Sequence, residues 1–253
     1  MLQQTQVDRV VPKYHDFLRS FPTLADLAAA PVGAVIRAWV GLGYNRRAVN
    51  LQRTAQAAVD RFGGKLPDEP AALESLPGIG RYTAAAIACF AFEQRVPVVD
   101  TNIRRVLGRI AGQPTLTERE AWSLAASMLP PEAWPWNQAL MDIGATICTA
   151  RAPRCLLCPA IALCATRGEG RAIAERRVPY QAARFEGSRR WYRGRAVDAL
   201  RALAPGESLP LAALGAAIKP DFSAKDADWI AALAEGLAAD GLARVEEGRV
   251  SLP

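Results

Sequence analysis

No run in this sequence approaches about 18 uninterrupted apolar residues, so it holds no candidate for a membrane-spanning helix. The first 20 residues also lack the basic-then-apolar order of a secretory leader. Together these absences lead us to expect a cytoplasmic protein with no membrane partner. Strand signals are almost missing before residue 240, which argues against a β-rich body. There is no long repeat and no low-complexity tract beyond an alanine enrichment that helices explain, which excludes a solenoid array.

What is present is a chain of 253 residues, 51% of them hydrophobic, enough for two compact domains or one large domain with an appendage. The net charge is +6, and it is local. From Arg167 to Arg195 there are nine arginines against three acidic residues, whereas residues 196–253 carry 5 basic and 9 acidic groups. The basic segment reads equally as a solvated linker or as a phosphate-contacting strap. In both readings it separates two bodies.

Helical spacing recurs through VDRVVPKYHDFL, LADLAAA, VGAVIRAWV, RRAVNLQRTAQAAVDRF, EREAWSLAASML and NQALMDIGATIC. Thr23 with Asp26 forms a capping box ahead of the second, Asn45 opens the fourth, and Gly63-Gly64 closes it. The body is therefore expected to be all-α, built of many short helices. After residue 190, YRGRAVDALRAL, PLAALGAAI and DADWIAALAEGLAADG read as three helices, followed by a hairpin in LARVEEGRVSLP. That order is similar to a winged helix. Its net negative charge points to packing or protein contact rather than phosphate binding.

Three stretches carry chemistry. In LESLPGIGRYTAAAIACFAF, a helix ends at Leu76, Pro77-Gly78-Ile79-Gly80 makes a tight turn, and another helix begins at once. Glycines at the turn let backbone N–H groups converge on one point, which suits a phosphate oxygen. In VPVVDTNIRRVLGRI, Asp100 opens a helix; it serves as an N-cap, and the same placement keeps a carboxylate ionised where a cationic sugar transition state would need an anion. Cys148, Cys155, Cys158 and Cys164 are four thiols with metal-site spacing. Zinc and a [4Fe-4S] cluster both accept four cysteines, and spacing alone leaves the two open. The fifth thiol, Cys89, sits on an apolar helix face and reads as core.

Together these stretches resemble the helix-hairpin-helix DNA glycosylases of the endonuclease III superfamily, most closely the adenine-specific mismatch glycosylases of the MutY type. MLQQTQV, GLGYNRRAVNL, LPGIGRYTAAAI, VVDTNIRRV, NQALMDIGATIC and the four cysteines occur in the family's order from Met1 to about Cys164. The resemblance implies a [4Fe-4S] cluster on the cysteines, a partner that is double-stranded DNA with a mismatched or oxidised base, a monomer, and association with the nucleoid.

Residue by residue, it implies that Asp100 stabilises the oxocarbenium ion as adenine leaves, with Tyr82 and Asn102 lining the pocket. Gln4, Thr5, Leu42 and Tyr44 would wedge into the duplex and surround the 8-oxoguanine opposite, while Gly78, Gly80 and Arg81 would clamp the backbone. Flipping a base out of the stack gives such wedge residues a physical task. Superfamily members that cleave the strand carry a lysine where this chain has Tyr82, and no lysine occurs between Lys65 and Lys219, so a monofunctional enzyme is expected. The family's acid is a glutamate two residues before the methionine that is residue 1 here, so we expect the catalytic Glu to be encoded upstream. A Nudix-like C-terminal domain typical of the family has no counterpart in the pattern. The expected division is a helical domain over 1–113, a cluster domain over 114–168, a basic linker over 169–190 and a winged-helix-like domain over 191–253. A thymine or uracil mismatch glycosylase, or a lesion-binding protein without catalysis, would share much of the same pattern.

Overall fold

Local capping chemistry sets several of the helix boundaries. The computed structural model describes residues 1–3, 5–113, 115–167 and 184–253. In chain order the first helices are α1 (Val7–Ser20), α2 (Leu24–Ala29), α3 (Val32–Ala38), α4 (Arg46–Phe62), α5 (Pro70–Glu74) and α6 (Arg81–Phe92). They are followed by α7 (Thr101–Ile110), α8 (Glu118–Ser127) and α9 (Ala133–Asp142). After the cysteine segment come α10 (Arg189–Arg201), β1 (Leu209–Pro210), α11 (Leu211–Ile218), α12 (Ala227–Ala239), β2 (Arg244–Glu246) and β3 (Arg249–Ser251). No helix among the described residues is long and apolar enough to cross a membrane.

The capping box expected at Thr23 and Asp26 is formed in both directions, and Thr117 and Glu120 form a second at α8. Gly63 ends α4 in the left-handed conformation, as a helix-terminating glycine should. Asn45 differs from expectation. It stands at the start of α4, but its side chain caps nothing; its Oδ1 accepts a hydrogen bond from Arg201 at 2.9 Å instead. A long-range guanidinium has outcompeted the local backbone for that oxygen.

The chain forms two compact units. One gathers Met1–Pro67, Leu76–Gly78 and Ala182–Pro253; the other comprises Asp68–Ser75 and Ile79–Gln181. In the first, Val10, Phe17, Leu27, Val35, Trp39 and Leu42 form one core among α1 to α4. A second core joins Ile36 and Val49 to Leu200, Leu214, Ile218, Leu237 and Val250. The C-terminal helices are thus packed directly on α3 and α4. The three strands order as β1-β3-β2, all antiparallel, with Val250 fully buried in the central strand and paired to both Leu209 and Val245. β1 is only two residues long, too short to show the alternation by which a strand is read from sequence.

In the second unit α6 to α9 enclose Val98, Ile103, Val106, Leu107 and Leu140. Cys89 lies in this core, as its apolar helix face implied; burial pushes its thiol pKa up, with a hydrogen bond from Asn137 acting in the opposite sense. NQALMDIGATIC does not continue as one α-helix: α9 stops at Asp142 and Ile143–Ile147 winds as a single π-helical turn. A Cβ on Gly144 would lie 2.8 Å from Cβ of Asn102, so this turn approaches α7 at a distance only glycine permits.

Arg201 holds the C-terminal helices to α3 and α4, donating to the Ile36 carbonyl and to Asn45 while pairing with Asp198. Arg201→Ala leaves these acceptors unmatched and is expected to lower stability by about 1–3 kcal/mol; a denaturation curve equal to that of the parent would show that the contact contributes nothing.

Candidate active site and DNA-contacting surfaces

Asp100 is placed by the segment that precedes it. The buried Asn137 clamps Val96 to Val98: its Oδ1 accepts from the Val98 N–H at 3.1 Å and its Nδ2 donates to the Val96 carbonyl at 3.0 Å. Asp100 then caps α7, Oδ1 accepting from the Ile103 N–H at 2.6 Å and Oδ2 from Asn102 Nδ2 at 3.3 Å. Two fixed donors hold the carboxylate in one orientation at a positive helix end. Tyr82 belongs to the same cluster. Burial, and secondarily the charge of Asp100, pushes its phenol pKa above the ordinary value, so the hydroxyl keeps its proton at neutral pH. Asn102 is thus bonded to Asp100, and Tyr82 lies close enough to feel its charge, residues that the family resemblance placed in one pocket.

α7 also reaches the cysteines. Arg105 Nη2 donates to Asn102 Oδ1 at 2.9 Å and to the Gly144 carbonyl at 2.6 Å, while its Nε donates to the Cys148 carbonyl at 2.8 Å. One turn on, buried Arg109 donates to the Thr149 carbonyl at 2.8 Å and contacts Cys148 Sγ at 3.3 Å. The Thr166 hydroxyl donates to the Arg109 carbonyl at 2.9 Å and fastens the end of the cysteine segment to α7.

All four of Cys148, Cys155, Cys158 and Cys164 line one cavity, together with Arg109 and Thr166. Two short 3₁₀ turns, Cys155–Leu157 and Ile161–Leu163, bring them there. Among the described residues no group of three or more His, Cys, Asp or Glu side chains is arranged to hold a single metal ion. Four thiols lining one cavity are a donor set that either a zinc ion or a [4Fe-4S] cluster accepts. A buried guanidinium beside a sulfur also suits an anionic thiolate-ligated centre.

The hairpin glycines differ in what requires them. Gly78 has φ 76°, and a Cβ there would lie 2.7 Å from the Asn50 side chain; the preceding Pro77 carbonyl accepts from the Thr54 hydroxyl at 2.7 Å. Gly80 opens α6 with nothing within 4 Å of a Cβ position and with no side-chain cap. Arg81 stacks over the Trp122 ring at 4.2 Å.

In the other unit, Arg47 organises the loop before α4. Its guanidinium donates to the Thr5 hydroxyl at 2.9 Å, the Leu42 carbonyl at 2.8 Å and the Gly43 carbonyl at 3.1 Å, and also to the Met1 carbonyl at 2.9 Å. It lies over both the Trp39 and Tyr44 rings. Tyr44, 49% exposed, takes φ 46°, a left-handed conformation that costs a non-glycine residue about 1–2 kcal/mol. Leu42 is only 4% exposed and packs in the α1 to α4 core, so it offers this surface its carbonyl rather than its side chain. Gln4 lies outside the described residues. Sequence reasoning missed Arg47, Arg105, Arg109 and Asn137. The only available signal was their presence inside the quoted motifs, because their partners are remote in sequence.

The chain matches the family described as HhH-GPD superfamily base excision DNA repair protein over residues 1–131, and it belongs to that family. It is 40% identical over 261 residues to an adenine DNA glycosylase of Mycobacterium tuberculosis (strain CDC 1551 / Oshkosh), covering all of this chain and 83% of the relative. It is also 43% identical over 174 residues to the adenine DNA glycosylase of Homo sapiens, covering 66% of this chain and 32% of that protein. Among solved structures it is similar to a thermostable thymine-DNA glycosylase, at TM-score 0.61 and 31% identity, covering 65% of this chain and 78% of the other. A trapped endonuclease III–DNA covalent intermediate is similar at TM-score 0.59 and 26% identity, over 67% and 79% of the two chains.

Arg105 serves Asn102, Gly144 and Cys148 with one side chain. Arg105→Ala is expected to destabilise the second unit by about 2 kcal/mol, since three acceptors lose a donor, and Arg105→Lys to recover only part. A denaturation midpoint for Arg105→Ala equal to that of the parent would contradict this.

Proposed function

We propose that this chain is a monofunctional adenine DNA glycosylase, excising adenine mispaired with 8-oxoguanine or guanine in double-stranded DNA as the first step of base excision repair. The observation that carries the reading is Asp100 at the N-terminus of α7, held by the Ile103 N–H and Asn102 beside a protonated Tyr82. The 40% identity to an adenine DNA glycosylase across the whole chain supports adenine over thymine as the base.

In this mechanism the C1′–N9 bond breaks with its electron pair leaving on adenine, and the sugar becomes an oxocarbenium ion. Asp100 lies ready to stabilise that cation without reorganising, because both of its oxygens are already engaged by fixed donors. Tyr82, a phenol at neutral pH, lines the pocket and cannot form a Schiff base. Water then adds to C1′ to complete the abasic site, the proton it releases balancing the one the departing adenine takes up, and the strand stays intact. Protonation of the departing adenine is a separate step. On the other unit, Thr5 and Tyr44, braced by Arg47, enter the duplex, with Gln4 expected beside them; Gly78, Gly80 and Arg81 at the hairpin grip the backbone at the start of α6.

The four cysteines hold a [4Fe-4S] cluster in this reading, and Arg109 supplies its counter-charge. When bound, the cluster cross-links the segment that follows α9 and carries no step of the base excision. The division of the chain into segments 1–113, 114–168, 169–190 and 191–253 belongs to the same proposal. The order α10, β1, α11, α12, β2, β3 supports a winged-helix-like C-terminal domain, and the enzyme acts as a monomer.

A single-turnover panel tests the reading: duplexes with adenine opposite 8-oxoguanine, adenine opposite guanine, and thymine or uracil opposite guanine, each treated with alkali to reveal abasic sites. Release of adenine alone, with no strand break before alkali, is the expected result. Excision of thymine or uracil instead would replace this reading with a different mismatch specificity, and tight lesion binding with no excision would make the chain a binding protein.

A further inference from the structure

The C-terminal helices reach the surface on which Tyr44 stands. Arg190, in the first turn of α10, donates from Nη1 to the Tyr44 hydroxyl at 3.1 Å, and its guanidinium lies over the Tyr44 ring at 5.7 Å. It also lies over the Phe185 ring at 4.8 Å, and Phe185 is 53% exposed. With Arg47 also over Tyr44, the exposed tyrosine is flanked by two guanidinium groups. All these residues belong to one compact unit.

This cluster is built rather than incidental. α10 is fixed beneath it by Arg201 on α3 and Asn45, and by an Arg193 to Asp240 ion pair within the C-terminal core. Tyr44 keeps a left-handed backbone that an exposed tyrosine would not retain unless its surroundings enforced it. The hydroxyl of Tyr44 takes only one N–H of Arg190, and the remaining N–H groups of that guanidinium make no hydrogen bond to a described residue. Arg190 is itself exposed. A planar cation with free donors, set against two aromatic rings, is matched chemically to a phosphate oxygen next to a stacked base.

We infer that Arg190 is a DNA-contacting and positioning residue: it binds a backbone phosphate of the strand that carries the unflipped base and holds Tyr44 in its wedging conformation. The small C-terminal domain thereby contributes to lesion recognition through its basic first helix, although the remainder of that domain is acidic. The inference rests on the proposed function, since it takes Tyr44 as the residue that enters the duplex.

The test uses the full 253-residue chain carrying Asp100→Asn, so that the duplex stays intact during binding. Fluorescence anisotropy measures affinity for a duplex with adenine opposite 8-oxoguanine, and for an undamaged duplex, over a range of salt. Adding Arg190→Ala is expected to weaken lesion binding about tenfold and to reduce the slope of log affinity against log salt by about one. Arg190→Lys keeps the charge but not the fork, and is expected to recover the slope and only part of the affinity. Combining Tyr44→Phe with Arg190→Ala is expected to cost less than the two changes separately, because either one removes the same hydrogen bond. Arg190→Ala with unaltered affinity and slope, in a parent that still prefers the lesion duplex, overturns the inference and leaves the proposed function standing. Lost affinity with an unaltered slope overturns the phosphate contact. A parent that binds both duplexes alike overturns the proposed function, and this inference with it.

Discussion

The candidate active site depends on one helix being fixed at both ends. α7 begins at Asp100 and, through Arg105 and Arg109, is fastened to the segment that carries Cys148. Arg105 matters most here because its donors reach Asn102, the Gly144 carbonyl and the Cys148 carbonyl together. Asn102 in turn donates to Asp100. A carboxylate meant to stabilise a short-lived cation gains most when its position is decided before the reaction. This chain of hydrogen bonds decides it from the cysteine side, and Asn137 decides it from the segment before Asp100.

The other unit solves a similar problem with different means. There a loop must hold an exposed tyrosine in an unfavourable backbone conformation, and Arg47 holds it by gathering the Leu42 and Gly43 carbonyls, the Thr5 hydroxyl and the Met1 carbonyl around one guanidinium. Neither unit relies on ion pairs at the site for this. Guanidinium groups bonded to carbonyls carry the positioning, which keeps several acceptors satisfied per side chain, and among the described residues Asp100 forms no salt bridge.

How much of this was legible depended on range. Thr23 with Asp26, Gly63, and Asp100 at the head of α7 are local signals, since each acts on backbone within a few residues, and each stands where spacing predicted. The grouping of Asp100, Asn102 and Tyr82, and of the four cysteines, followed from the resemblance to a known family rather than from spacing. Asn45 misled because a capping residue type says nothing about a competing arginine 156 positions away. The helix expected through Cys148 gives way to a π turn because Gly144 must pass close to Asn102, a tertiary demand that periodicity does not encode. Leu42 illustrates the same limit: a motif can carry a residue whose side chain is core and whose contribution to the surface is a carbonyl.

The central claim is that Asp100 stabilises the sugar cation while the rest of the molecule only binds and positions. It is tested most directly by single-turnover excision of adenine opposite 8-oxoguanine, comparing the chain with its Asp100→Asn variant and measuring duplex affinity for both. The account predicts abasic sites from the parent, a rate lower by about 10²- to 10³-fold in the variant, and little change in affinity. Equal rates in the two proteins would contradict it.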